Sequence, residues 1–142
     1  MSDTNTTNDE DFEDAIRGRQ SVVGFVSDAI TSVEPDASLR QVAEVLRDAD
    51  VSLAVVAAGA TLHGVVSERD IVNAVARGTD LDTTQVEAIE TESLKWATET
   101  STVDDVAEEM LENYLRHVLV GSDDGELIGV VSMRDLLTAY LV

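Results

Sequence analysis

The chain repeats itself, and the repeat restricts its fold more than any other feature. With Phe25 set on Ile89, an offset of 64 places Leu39 on Val103, Val42 on Val106, Ala43 on Ala107 and Leu46 on Met110. Val51 then falls on Leu115, and Val55-Val56 on Leu119-Val120. One inserted residue changes the offset to 65. Gly64-Val65-Val66-Ser67-Glu68-Arg69-Asp70 then lies on Gly129-Val130-Val131-Ser132-Met133-Arg134-Asp135, identical at six of seven positions. A chain of 142 residues accommodates one domain, or two small repeats sharing a core.

Each repeat reads in the same order. An extended stretch opens it (29–33 and 93–97), followed by a polar turn and a helix start. Ser38 with Gln41 forms a capping-box pattern, and Thr102 with Asp105 resembles one with a shorter acid. Apolar residues then recur at helical spacing: Leu39, Val42, Ala43 and Leu46, matched by Val103, Val106, Ala107 and Met110. Two mostly apolar strand runs follow (51–57 and 62–66; 115–120 and 127–131), as expected of strands covered by helices. Ala58-Gly59 and Asp124-Gly125 suit tight hairpins. A last helix begins at Ser67 or Ser132, the first ending near Gly78, a natural cap. The unit is β-α-β-β-α, giving an α+β fold of two repeats packed with pseudo-two-fold symmetry. Residues 1–20 read as an acidic, largely disordered leader, with a short helix over 12–20 using Phe12, Ala15 and Ile16. Residues 21–80 form the first repeat. Residues 79–88 link the repeats, and the division is drawn so that residues 81–142 hold the linker and the second repeat.

Charge removes several functions. Lys plus Arg is 9 against 29 for Asp plus Glu, a formal net charge of −20. Such a surface repels phosphate backbones and anionic lipid, so neither nucleic acid nor membrane is an expected partner. Arg occurs eight times and Lys once, at Lys95. The acids are spread along the whole chain, the make-up of proteins from salt-loving microbes. The chain has no cysteine, which excludes disulfides and thiolate chemistry. No apolar run reaches spanning length and the N-terminus is polar, so a cytoplasmic protein is expected. Enzyme motifs are missing: His63 and His117 lie far apart outside any H-E-x-x-H, and there is no Walker A or G-x-G-x-x-G sequence. Asp123-Asp124-Gly125-Glu126 is acidic but lacks the alternating ligands of a calcium loop. No metal and no catalytic residue is expected.

The β-α-β-β-α order, present twice with G-V-V-S-x-R-D at the second strand-to-helix junction, resembles a tandem pair of cystathionine-β-synthase (CBS) domains, a Bateman module. The segment from Arg116 through Leu137 and the segment Ser67-Glu68-Arg69-Asp70-Ile71-Val72 carry the likeness, which covers about residues 22–142. Two departures stand out. Leu119 occupies a place where the family often has Pro, and Val26-Ser27 and Glu90-Thr91 replace the usual Met-Thr.

The resemblance implies two clefts between the repeats. It also implies a sensor of adenosine compounds (AMP, ADP, ATP or S-adenosylmethionine), with energy sensing as the role and an adenine nucleotide as regulatory ligand. Taken alone, Ser67 with Asp70 and Ser132 with Asp135 are helix caps. The same geometry beside a cleft presents N–H groups to a phosphate, and the family gives the matching acids the ribose hydroxyls. Arg116 and His117, just before a strand, are either an edge-of-strand pair balancing nearby acids such as Glu112 or phosphate contacts; the first repeat has Ser52 and Leu53 there. Arg69 and Arg134 are either solvated salt-bridge partners or phosphate contacts. Thr31, Ser32 and Val33, with Lys95, Trp96 and Ala97, correspond to the family's adenine-facing strands. Trp96 either covers apolar surface or borders a cleft. The expected partners are an adenosine-containing small molecule, a second copy through Val72, Val75, Leu137 and Tyr140, and an effector protein. The alternative is a ligand-free interaction or scaffold module of the same fold.

Overall fold

The computed structural model describes residues 16–26, 30–92 and 94–141. The first repeat supplies β1 (Ser32–Val33), α1 (Leu39–Ala49), β2 (Leu53–Ala58), β3 (Thr61–Ser67) and α2 (Glu68–Ala76). The second supplies β4 (Trp96–Thr98), α3 (Val103–Asn113), β5 (His117–Gly121), β6 (Leu127–Ser132) and α4 (Met133–Leu137). The β-α-β-β-α order is present twice, and the fold is α+β. Each repeat builds a three-stranded sheet, ordered β1-β2-β3 and β4-β5-β6. The first strand runs parallel to the second, and the second antiparallel to the third.

The opening strands are shorter than the sequence suggests. Only Ser32 and Val33 pair with β2, and only Trp96, Ala97 and Thr98 with β5. Ala29 and Ser93 lie outside the described residues. So do Phe12 and Ala15 of the expected leader helix, of which residues 16–18 are helical. The first hairpin closes at Ala58 and Thr61, so its two-residue turn is Gly59-Ala60, one step beyond the expected pair. Gly59 supplies the positive φ of 60° that this turn needs.

Helices α1, α2, α3 and α4 each start with a complete capping box. In α1, Ser38 Oγ accepts from the Gln41 amide at 3.1 Å and the Ser38 amide donates to Gln41 Oε1 at 2.9 Å. Thr102 and Asp105 do the same for α3, at 3.1 Å in both directions. Helix α2 ends as expected at Gly78, whose φ is 76°. The Gly78 amide donates to the Val75 carbonyl at 3.1 Å and the Thr79 amide to Ala74 at 3.0 Å. That is the bond pair of a Schellman cap.

The chain divides into two compact units, each with its own core. In one, Leu39, Val42 and Leu46 of α1 pack with Val33, Ala54, Val56, Val66 and Ala74. In the other, Val103, Val106 and Met110 of α3 pack with Ala97, Val118, Val120, Val131 and Ala139. The 64- and 65-residue offsets relate these lists almost residue for residue. Each Val or Leu removed from water stabilises its unit by roughly 1.5–3 kcal/mol before chain entropy is counted.

The segments leading into the repeats are exchanged. Val22, in the 3-10 turn Val22–Phe25, is fully buried in the core of the second repeat. Val86, in the matching turn Val86–Ala88, is fully buried in the core of the first. The stretch read as a linker therefore contributes to the first repeat's core. Backbone bonds hold both exchanges: the Val22 amide donates to Ser101 at 3.0 Å, and the Val86 amide to Ala37 at 2.8 Å.

The same exchange explains the glycine of the G-V-V-S motif. Thr91 pairs with Val65 on β3 through bonds of 3.0 and 2.9 Å. A Cβ on Gly64 would lie 2.5 Å from the Thr91 carbonyl oxygen. On Gly129 it would meet only the Val26 side chain, at 3.1 Å. Backbone yields less readily than a side chain. Gly64→Ala is expected to destabilise by about 1–3 kcal/mol and Gly129→Ala by less. Paired urea denaturation curves check the order; equal midpoints would refute it.

Candidate functional site

The candidate residues gather at the strand-to-helix junctions. Ser67 Oγ accepts from the Asp70 amide at 3.3 Å, and the Ser67 amide donates to Asp70 Oδ2 at 2.8 Å. The Ser67 hydroxyl also lies 3.1 Å from Oδ2. Ser132 and Asp135 repeat the box at 3.0 Å in both directions. All four residues are half-buried. The box uses one carboxylate oxygen; Oδ1 takes no part in it.

The residue just before β2 or β5 engages a further donor. The Glu68 amide donates to the Ser52 carbonyl at 2.9 Å, and the Met133 amide to the Arg116 carbonyl at 2.8 Å. Two of the first three amides of α2 and of α4 are thus already bonded. The sequence suggested helix N-termini with donors to offer a phosphate. The junction leaves few, so an anion here depends mainly on cationic side chains.

Those side chains differ between repeats. His117 sits directly across from Ser132 in the β5–β6 ladder, where the first repeat has Leu53 across from Ser67. Directly opposed residues project from the same sheet face. His117 and Ser132 therefore share a face, opposite the one that places Val118 and Val131 in the core. Arg116 is exposed one residue earlier, and Arg69 and Arg134 are exposed at the second positions of α2 and α4.

The opening strands form the sheet edges. The Val55 amide donates to the Thr31 carbonyl at 2.8 Å, and the Leu119 amide to Lys95 at 3.1 Å. Successive backbone groups along a strand point to opposite sides. Ser32 and Trp96, next in line, therefore turn their N–H and C=O outward from the sheet. Val33 and Ala97 are buried in the two cores. Lys95 is drawn toward Glu109 of α3, with 4.0 Å between Nζ and Oε1. The Trp96 ring lies over Gly121, where an added Cβ would come within 3.1 Å of Cε3, and the residue keeps 43% of its surface exposed.

Comparison with known proteins bears directly on this arrangement. The CBS domain model matches residues 21–77 and 86–142. The chain belongs to the CBS domain family. A CBS domain protein of Pyrobaculum aerophilum, solved in complex with AMP, is 32% identical; the match covers 86% of this chain and 99% of that one, with a TM-score of 0.75. An uncharacterised conserved protein of Pyrococcus horikoshii has the same fold at 23% identity and a TM-score of 0.80, over 87% of this chain and 93% of that one. An uncharacterised 17.7 kDa protein of Acidianus ambivalens is 36% identical over 110 residues, 77% of this chain, which spans 66% of that relative's length. CBS-pair proteins are generally regulatory modules.

Two features of this CBS pair escape sequence reasoning. Asp50 and Tyr114 cap α1 and α3 in the left-handed region, at φ 54° and 55°; no glycine marks either position. Glu90 has Oε2 buried without a hydrogen-bond partner. Burial, followed by repulsion from Glu92, raises its carboxyl above the ordinary range; His63 opposes the shift and Glu87 adds to it. A proton on Glu90 therefore favours the fold. That contribution is complete below the unfolded pKa and is lost as pH rises through the raised folded value. Glu90→Gln is expected to melt higher than the wild type near neutral pH, with the difference fading in acid. Melting curves across pH check this; a constant difference would show that the charge is not responsible.

Proposed function

We propose that this CBS pair is a regulatory module that binds an adenosine-containing nucleotide, of the AMP, ADP and ATP class or S-adenosylmethionine, and reports the binding to a partner protein. It is not assigned a catalytic role. The recurrence of the Ser–Asp box at one strand-to-helix junction in both repeats carries the reading, supported by 32% identity to a relative solved with AMP. The box oxygens outside the cap suit the two hydroxyls of a ribose. The outward backbone groups of Ser32 and Trp96 suit an adenine edge. Arg116, His117 and Arg134 in the second repeat, and Arg69 in the first, suit phosphate, the more so because the helix amides are largely engaged.

The scaffold reading has one observation in its favour. Ser38–Gln41 and Thr102–Asp105 form equally complete boxes, so a box is a sufficient helix start without a ligand. A homodimer is proposed from matching exposed pairs: Val72 and Val75 in one unit at 64% and 57%, Leu137 and Tyr140 in the other at 55% and 36%. Among the described residues no helix is long and apolar enough to cross a membrane. A cytoplasmic setting, a salt-rich organism and an energy-sensing role complete the proposal. Mass spectrometry of small molecules released from the purified protein, with calorimetric titration of AMP, ADP, ATP and S-adenosylmethionine, tests it. Binding of at least one is expected; binding of none supports the scaffold.

A further inference from the structure

Leu111 and Tyr114 lie one turn apart at the end of α3, 70% and 95% exposed. Tyr114 holds the left-handed φ of 55°, a conformation bulky side chains rarely adopt. The 64-residue offset places Arg47 and Asp50 at the same points of the first repeat. There Asp50 caps α1 in a conformation that Asp tolerates better, and Arg47 is ion-paired with Asp48 at 2.8 Å. The fold therefore does not require an apolar pair here. The second repeat carries one at a cap that disfavours it. The pairs Val72–Val75 and Leu137–Tyr140, in contrast, recur in both repeats, as a self-association face would.

Charge identifies the occupant. Helix α3 contains no basic residue, and Glu108 and Glu112 beside the pair are exposed; Arg116 is the nearest cation in sequence. A second copy meeting this face through its own α3 would bring Glu108 and Glu112 against the same glutamates. A partner with an apolar centre and a basic rim would pair with these glutamates. We propose that the Leu111–Tyr114 surface docks a different protein, one presenting apolar side chains flanked by Lys or Arg. The proposal rests on the reading that this module reports to a partner, and it supplies that partner's chemistry.

The probe is a synthetic amphipathic helical peptide with a leucine stripe flanked by lysines, compared with the same peptide flanked by glutamates. Fluorescence anisotropy measures binding to the full chain, wild type and Leu111→Ser/Tyr114→Asn. The double variant keeps the net charge and puts a residue suited to the left-handed cap at 114; circular dichroism verifies its fold, and Leu111→Ser alone repeats the comparison if it fails. The lysine-flanked peptide is expected to bind wild type about tenfold or more tightly than the variant, and more tightly than the glutamate-flanked peptide binds wild type. Equal binding in either comparison overturns the proposal. Sedimentation showing that the double variant turns a dimer into monomers also overturns it, because the occupant is then a second copy. Titration of AMP, ADP, ATP and S-adenosylmethionine is read separately: failure of all four sinks the sensor reading, whereas equal peptide binding sinks only this surface.

Discussion

Asp135→Ala is expected to abolish the tighter of two AMP-binding events, and Asp70→Ala the weaker. Both acids sit in the same box, so on the proposed reading each site offers one carboxylate to a ribose. The difference lies across the ladder. His117 faces Ser132 with Arg116 beside it, where the first repeat has Leu53 and Ser52. A hydrogen bond to a charged group is worth roughly 1.5–3 kcal/mol against about 1 for a neutral one. One such contact separates the affinities by about tenfold, since about 1.4 kcal/mol is a factor of ten. Loss of a carboxylate that accepts from two hydroxyls weakens its own site by about a hundredfold on the same scale. Each alanine also removes half of a helix cap, so Asp135→Asn and Asp70→Asn serve as controls that keep an acceptor for the serine amide. The measurement is calorimetric titration of AMP into wild type and the four variants after their folds are verified. Loss of the tighter event in Asp70→Ala, with Asp135→Ala unaffected, reverses the assignment.

Much of this architecture is legible in the sequence because it is written twice. Leu39, Val42 and Leu46 repeat as Val103, Val106 and Met110, and one periodic reading locates both buried helix faces. Ser or Thr followed three residues later by Gln or Asp marks the starts of α1 to α4, because the cap is a local interaction between those two side chains and the backbone. What the sequence conceals is non-local. Val22 and Val86 belong to short apolar stretches with no periodicity, and nothing in either says which repeat's core it will enter. Glu90 Oε2 is buried because Thr91 bonds to β3 and brings its neighbour in with it. At the candidate site, the Ser–Asp boxes were legible. The engagement of the Glu68 and Met133 amides by the residues just before β2 and β5 was not, since it depends on the carbonyls of Ser52 and Arg116 meeting helices that start 16 and 17 residues later.

Molar KCl is expected to raise the melting midpoint by roughly 10 °C over dilute buffer, with the gain concentrated in the unit that contains α3. That helix carries Asp104, Asp105, Glu108, Glu109 and Glu112 and no basic residue, placing like charges at 104 and 108, 105 and 109, and 108 and 112. Like charges four apart on a helix destabilise it by about 0.2–0.5 kcal/mol each. Exposed charges about 10 Å apart in water repel by roughly 0.4 kcal/mol without salt. At about 1 M salt the screening length is near 3 Å, and nearly all of this vanishes. Relief of about 2 kcal/mol in a unit of this size moves the midpoint by roughly 8–16 °C. Helix α1 is the internal comparison: it alternates Arg40, Glu44, Arg47 and Asp48, and Arg40 is ion-paired with Asp82 of the same unit. Hydrogen exchange is expected to show α3 amides gaining more protection in KCl than α1 amides. Glu108→Lys turns two repulsions into attractions and is expected to raise stability in dilute buffer while reducing the response to salt. Equal midpoints in dilute buffer and molar KCl would mean that the carboxylates are spaced widely enough to be independent, and the halophilic reading of the composition would fall with the prediction.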